Sequence, residues 1–166
     1  MPSEPAPRRK VDAGADPPPA PQDRHAADPG PGPPERGPLA GVAILFVDDD
    51  PDIREAVEAL LSAAGARVVT AGSVQRALLA LDADRPDILI SDIGMPGRDG
   101  WEFIREVRRR PPESGGRVRA LALTAFARSE DLRRSIDEGY DHHAVKPIAP
   151  DALVAIVRAL AARDPG

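Results

Sequence analysis

The sequence predicts an α/β protein, a doubly wound parallel sheet assembled from five strand–helix units, (βα)5. Three observations carry the prediction. From Leu39 onward, five short apolar runs alternate with five stretches of helical periodicity, with no other internal repeat. The first run, Val42–Val47 (VAILFV), is continuously apolar, as in a strand covered on both faces. Strict alternation of this kind implies right-handed crossovers and helices on both sides of the sheet.

Each element has its own justification. The first strand ends in Asp48-Asp49-Asp50-Pro51, where Asp50 reads as a helix N-cap and Pro51 as the first helical residue. Ile53, Ala56, Val57, Leu60, Leu61 and Ala64 recur at helical spacing, and Gly65 stands where a left-handed cap belongs. Arg67–Thr70 is a short strand. Ser73 opens a second helix with Val74, Ala77, Leu78 and Leu81 on its apolar face. Asp87–Ser91 is the third strand, and the loop 92–99 leads to a helix carrying Trp101, Ile104 and Val107 along one side. Val118–Leu123 is the fourth strand, 129–138 the fourth helix, 142–145 a short fifth strand, and Asp151–Ala162 the last helix.

Residues 1–38 are different in kind. They hold 12 of the 20 prolines and almost no large apolar side chain, so they offer little to bury against the entropy of ordering. A disordered Pro/Gly-rich tail is expected there, a globular domain over 39–162, and a short C-terminal tail over 163–166. Pro2-Ser3-Glu4-Pro5 fits a PxxP ligand, but a solvated extension is the reading composition favours.

Composition removes whole classes of function. With 22 Lys+Arg against 27 Asp+Glu the chain carries a net charge of −5, which argues against direct nucleic-acid binding. Cysteine is absent, excluding disulfide scaffolds, thiolate-bound metals and thiol nucleophiles. No apolar run reaches the roughly 18 residues of a membrane span, and no secretory leader opens the chain. A soluble, cytoplasmic protein without a membrane partner is expected.

In open sheets of this type ligands bind outside the carboxyl ends of the strands. Asp48 and Asp49 follow the first strand, Asp92 the third, Thr124 ends the fourth and Lys146 follows the fifth. Singly, each suggests only a capped turn or a solvated charge. Gathered at one sheet edge, the carboxylates would repel one another unless a cation neutralised them. All available donors are hard oxygens, so Mg2+ is the natural ion. The lysine and threonine would then complete a cradle for a phosphoryl group, with one carboxylate free to act as nucleophile.

Val47-Asp48-Asp49-Asp50, Asp92-Ile93-Gly94-Met95-Pro96-Gly97 with Asp99-Gly100, Leu123-Thr124-Ala125 and Lys146-Pro147 together resemble the receiver domain of bacterial response regulators. The resemblance covers essentially all of 39–162. It implies a flavodoxin-like sheet in strand order 2-1-3-4-5 and a histidine kinase that phosphorylates Asp92. It implies further that Asp49 binds Mg2+ directly, that Asp48 supports the ion partly through water, and that the Gly94 carbonyl completes the protein ligands. Lys146 would pair with the phosphoryl oxygens, with a cis bond before Pro147, and Thr124 would be drawn toward the new phosphate.

Two departures stand out. Where the family carries a Tyr or Phe switch, three residues before its lysine, this chain has His143. An imidazole can still rotate and titrates near neutral pH, but its coupling to Thr124 is open, and an ordinary strand histidine is an equal alternative. Tyr140 reads as packing rather than as a displaced switch. Two residues beyond Asp92 and Thr124 stand Gly94 and Phe126, whose side chains cannot hold the water that hydrolyses an acyl phosphate, so a long-lived phosphorylated state is expected.

The remaining expectations concern partners. Arg105, Arg108, Arg109 and Arg110 suggest a basic patch, read as solvated surface near a helix end. Only Arg163-Asp164-Pro165-Gly166 follows the last helix, so no DNA-binding effector is expected. Signalling would pass to a histidine phosphotransfer protein or downstream effector through the fourth helix, fifth strand and fifth helix, where Arg128, Arg133, Arg134 and Ala152 lie. Two alternatives compete with a phosphoacceptor. One is a haloacid-dehalogenase-like phosphatase with Asp48 as nucleophile and Asp50 as acid, which leaves the Asp92 motif unused. The other is an interaction module that is never phosphorylated, against which the intact acids, threonine and lysine speak.

Overall fold

The computed structural model describes residues 37–162. The tails expected over 1–38 and 163–166 fall, except for Gly37 and Pro38, outside the described residues. Five strands form the sheet: β1 (Ala43–Val47), β2 (Arg67–Ala71), β3 (Ile88–Ser91), β4 (Arg119–Thr124) and β5 (His142–Val145). They run parallel in the order β2-β1-β3-β4-β5. Between and after them lie α1 (Pro51–Ala63), α2 (Val74–Asp84), α3 (Gly100–Arg109), α4 (Ser129–Glu138) and α5 (Pro150–Ala161). A 3-10 turn over Pro112–Ser114 precedes β4.

The two faces of the sheet bury different side chains, as period-2 alternation along each strand requires. Ile44, Phe46, Ile88 and Ile90 face α1 and α5, meeting Leu61, Leu153, Val157 and Leu160. Leu45, Val47, Leu89 and Ala122 face the other layer, meeting Val74, Ala77 and Leu81 of α2 and Phe103, Ile104 and Val107 of α3. The caps fall where the sequence placed them. Asp50 accepts from the backbone N–H groups of Asp52 and Ile53, and Ser73 accepts from that of Arg76. Gly65 takes φ +101° just beyond α1, and Leu39 closes the domain edge by donating its N–H to the Ala64 carbonyl, 2.9 Å away.

Because β1, β3, β4 and β5 are neighbours and all point the same way, residues just past their carboxyl ends converge on one rim. That is the step from topology to chemistry.

Candidate functional site

At the rim, the ladder hydrogen bonds continue one residue past the strands and so fix where the acids leave the sheet. The N–H of Asp48 donates to the Ala71 carbonyl (3.1 Å) and that of Asp92 to the Val47 carbonyl (2.9 Å). One carboxylate oxygen from each of Asp48, Asp49 and Asp92 lies within 4.8 Å of the other two. Asp48 is 1% and Asp92 9% exposed, whereas Asp49 stands open to solvent. The Lys146 ammonium faces both buried acids, 2.6 Å from Asp48 Oδ2 and 3.7 Å from Asp92 Oδ2. The peptide bond between Lys146 and Pro147 is cis, as expected.

The other oxygens are also engaged. Asp48 Oδ1 accepts from the N–H of Asp50 (3.0 Å), and Asp92 Oδ1 from the N–H of Gly94 (3.2 Å). Thr124 is 1% exposed; its hydroxyl oxygen accepts from the N–H of Phe126 at 3.3 Å, and its carbonyl accepts from the N–H of Lys146. Asp50 turns its carboxylate onto the start of α1 and away from this cluster. Asp50, the acid of the phosphatase alternative, is thus a helix cap here and not one of the three acids that gather.

Three carboxylates against one ammonium leave a net negative pocket of hard oxygen donors. That donor set fits a divalent cation such as Mg2+ and does not fit a soft metal. A cleft of about 130 Å3 beside Asp49, walled by Ser73, Gln75, Met95 and Arg98, opens the pocket to solvent.

Behind Asp92 the packing is tight. The hydroxyl of Ser91 donates to the Asp92 carbonyl, and that of the buried Tyr140 donates to the Gly100 carbonyl at 2.9 Å. Burial pushes the Tyr140 hydroxyl pKa above its ordinary value, opposed by a hydrogen bond with Ser91 and reinforced by the nearby Asp92 and Asp99 charges. A Cβ on Gly100 would stand 2.4 Å from the Asp92 carbonyl oxygen, so only glycine lets α3 start here.

His143 is tied at both ring nitrogens, with Nδ1 3.0 Å from the Ser135 hydroxyl and Nε2 2.9 Å from the Phe126 carbonyl. Phe126 thus touches Thr124 through its N–H and His143 through its carbonyl. That main-chain link runs between two side chains whose coupling the sequence left open. His142 is exposed and points elsewhere, and Tyr140 packs in the core, as its reading required. The ring of Phe126 stacks on Trp101 with centroids 5.7 Å apart, and the Arg134 guanidinium covers Trp101 at 3.7 Å. Its ring edge also approaches Gly94, where a Cβ would lie 3.6 Å from it.

The structure corrects the reading of the arginines at the end of α3 as solvated surface. Arg108 donates to the carbonyls of Gly139, Gly116 and Val118 and pairs with Asp141 at 3.0 Å. Its burial lowers its pKa from the usual arginine value, with Asp141 acting in the opposite sense. Arg110 pairs with Asp82 and Arg105 with Glu138. These guanidiniums tie the end of α3 to α2, α4 and the loops around β4, and of the four arginines Arg109 is the exposed one.

Sequence reasoning missed Arg54. From the first turn of α1, its Nη1 donates to the carbonyls of Asp48 (2.7 Å) and Asp49 (3.0 Å). The available signal was electrostatic, since a cation in a helix's first turn opposes the macrodipole and calls for a reason.

Comparison with known proteins agrees with this geometry. Residues 44–158 match the family model described as the response regulator receiver domain. An uncharacterized 14.6 kDa protein of Leptolyngbya boryana is 40% identical over 120 residues, covering 72% of this chain and 90% of that one. The response regulator MprA of Mycobacterium ulcerans is 38% identical, over 74% of this chain and 51% of its own. The chain spans about half the length of this and other named regulators it matches. Among solved structures, the receiver domain of the sensor histidine kinase PA1611 from Pseudomonas aeruginosa superposes with a TM-score of 0.67 at 31% identity. That match covers 75% of this chain and 100% of the other, whose active-site cleft holds a coordinated magnesium ion. Among the described residues no helix is long and apolar enough to cross a membrane.

Proposed function

Because the chain belongs to the response regulator receiver domain family, we propose that it takes a phosphoryl group from a histidine kinase onto Asp92 and signals through the change of shape that follows. The observation that carries this reading is the convergence of Asp48, Asp49 and Asp92 within 4.8 Å, with the Lys146 ammonium between the two buried acids. Asp92 Oδ1 is occupied by the Gly94 N–H, which leaves Oδ2, on the lysine side, to attack phosphorus. As the new P–O bond forms, the P–N bond to the kinase imidazole breaks, and the imidazole leaves with that electron pair and takes up a proton. Lys146 then moves from Asp48 toward a phosphoryl oxygen. The Thr124 hydroxyl, which accepts from Phe126, still has its own proton to donate to another.

A Mg2+ ion held by Asp49, Asp92, the Gly94 carbonyl and, partly through water, Asp48 would offset the charge on the transferring group. Movement of Thr124 would draw on Phe126 and, through its carbonyl, on His143. The surface of α4, β5 and α5 is then the place where an effector or histidine phosphotransfer protein would sense the change. Leu132 and Ile136 of α4 are already exposed there.

Intact mass after treatment with a small phosphodonor and Mg2+ tests the assignment. Wild type should gain one phosphoryl group and Asp92→Ala none, and a gain in both or in neither would overturn it. Followed over time, the wild-type adduct should decay slowly, because Gly94 and Phe126 offer no side chain to hold an attacking water.

A further inference from the structure

We propose that Arg54 is a positioning residue that sets which divalent ion the acidic pocket accepts, by keeping the main-chain oxygens of Asp48 and Asp49 out of the coordination sphere. The inference rests on the pocket being a divalent-cation site. Two successive carbonyls converge on one nitrogen, Nη1, at 2.7 and 3.0 Å. That nitrogen carries two hydrogens, so each carbonyl receives one. Without the guanidinium the carbonyls of Asp48 and Asp49 would lose their common partner, and the loop that also carries the two carboxylates would be free to turn them toward a bound ion.

The distinction matters because the two biological hard cations differ in what they tolerate. Mg2+ is small, octahedral and keeps several waters, so a few rigid carboxylates suit it. Ca2+ gathers six to eight oxygens in flexible geometry, and carbonyls are among its usual ligands. The set of acids and the Gly94 carbonyl, with two further carbonyls added, would approach a calcium-type set. By fixing both carbonyls, Arg54 keeps the pocket small and its loop stiff.

Two further features fit this role. Among the described residues Arg54 forms no ion pair, so its charge is committed to main-chain oxygens in a helix turn where a cation is otherwise unfavourable. Gly72, in the loop after β2, lies beside it. A Cβ at Gly72 would stand 3.0 Å from Nη1 and 3.2 Å from Cζ of Arg54. The backbone of Gly72 is not in the left-handed region, so an alanine there meets only the end of the Arg54 side chain, which would have to give way by a few tenths of an ångström.

The test titrates the full-length protein calorimetrically with MgCl2 and, separately, CaCl2, with Trp101 fluorescence as a second readout. Arg54→Met should lower the ratio of Mg2+ to Ca2+ affinity by up to about tenfold, the low end of the Mg2+ affinity loss that removing an outer-shell partner causes. Gly72→Ala keeps the charge but pushes the guanidinium aside. It should shift the ratio in the same direction by a smaller factor at near wild-type stability, and it remains informative if Arg54→Met folds poorly. A ratio unchanged in both variants, or both affinities changing by one common factor, would overturn the inference while leaving the site intact. Failure of wild type to bind either ion would overturn the site reading itself, and this inference with it.

Discussion

Replacing Asp49 by Asn should stabilise the ion-free protein and abolish its response to Mg2+. The structure sets the scale. One oxygen of Asp49 lies within 4.8 Å of an oxygen of Asp48 and of Asp92. Two like charges at that distance repel by about 1 kcal/mol in a water-like dielectric and about 3.5 kcal/mol at an effective value of 20. Asp49 is exposed, which favours the lower figure, and Lys146 at 2.6 Å from Asp48 already offsets one of the two partners. A net relief of about 1 kcal/mol remains, or roughly 3–5 °C in melting temperature for a domain of this size. In wild type, Mg2+ at ten times its dissociation constant should add about 1.4 kcal/mol, and Asp49→Asn should lose nearly all of it. The assay is thermal unfolding of both proteins with and without Mg2+, followed by Trp101 fluorescence. The expected pattern is a crossover, with the variant more stable than wild type in chelator and less stable in Mg2+. A variant less stable than wild type in chelator, or one as responsive to Mg2+, would refute the account of the pocket as a repulsive cluster relieved by a cation.

Gly100→Ala should cost about 2 kcal/mol or more, because the new Cβ meets the Asp92 carbonyl oxygen at 2.4 Å and the Ile93 Cα at 2.6 Å, both of them backbone atoms. Urea denaturation should show the lower midpoint and intact mass a reduced phosphoryl uptake, and a variant unchanged in both would contradict the close approach. Tyr140 supplies a pH dependence. Its hydroxyl pKa is raised in the folded state, so the neutral form is the one folding favours, and the stabilisation is fully present below the ordinary value of 10.0 and lost as pH rises above it. Since Tyr140 is the single tyrosine, phenolate absorbance reports it directly; titration of the folded protein at or below 10 would count against its burial.

Much of this architecture was legible in the sequence because it rests on local rules. The Asp50-Pro51 and Ser73 caps and the unbroken apolar run of β1 each report on a few neighbouring residues. The acids, threonine and lysine were legible together because topology alone brings strand ends to one rim. Long-range side-chain contacts were not. Arg108 looked like one of a row of solvated cations, yet it binds carbonyls contributed by Gly116, Val118 and Gly139. The stack of Arg134, Trp101 and Phe126 joins three separate segments and leaves no periodic trace. Gly100 was quoted only as part of a motif, and its need for glycine appears when the Asp92 backbone is seen against it.

Hydrogen bonds through Ser135 join β5 and Trp101 to α4. The Ser135 hydroxyl contacts the Asp131 carbonyl at 2.8 Å, Trp101 Nε1 at 3.2 Å and His143 Nδ1 at 3.0 Å. It has one proton to give, while the indole can only donate to it. The Phe126 carbonyl can only accept, so His143 must carry a proton on Nε2 to make that bond. In the neutral ring Nδ1 is then an acceptor, and Ser135 must turn its proton away from Asp131 and toward His143. In the imidazolium Nδ1 donates, and the Ser135 proton returns to Asp131. In either state the ring is held at both ends, each bond being worth about 0.5–1.5 kcal/mol. His143 is therefore not a free rotor of the kind a tyrosine can be. It is tied to Phe126 on one side and to Ser135 on the other, so a pull on the Thr124 loop would reach α4 through hydrogen bonds.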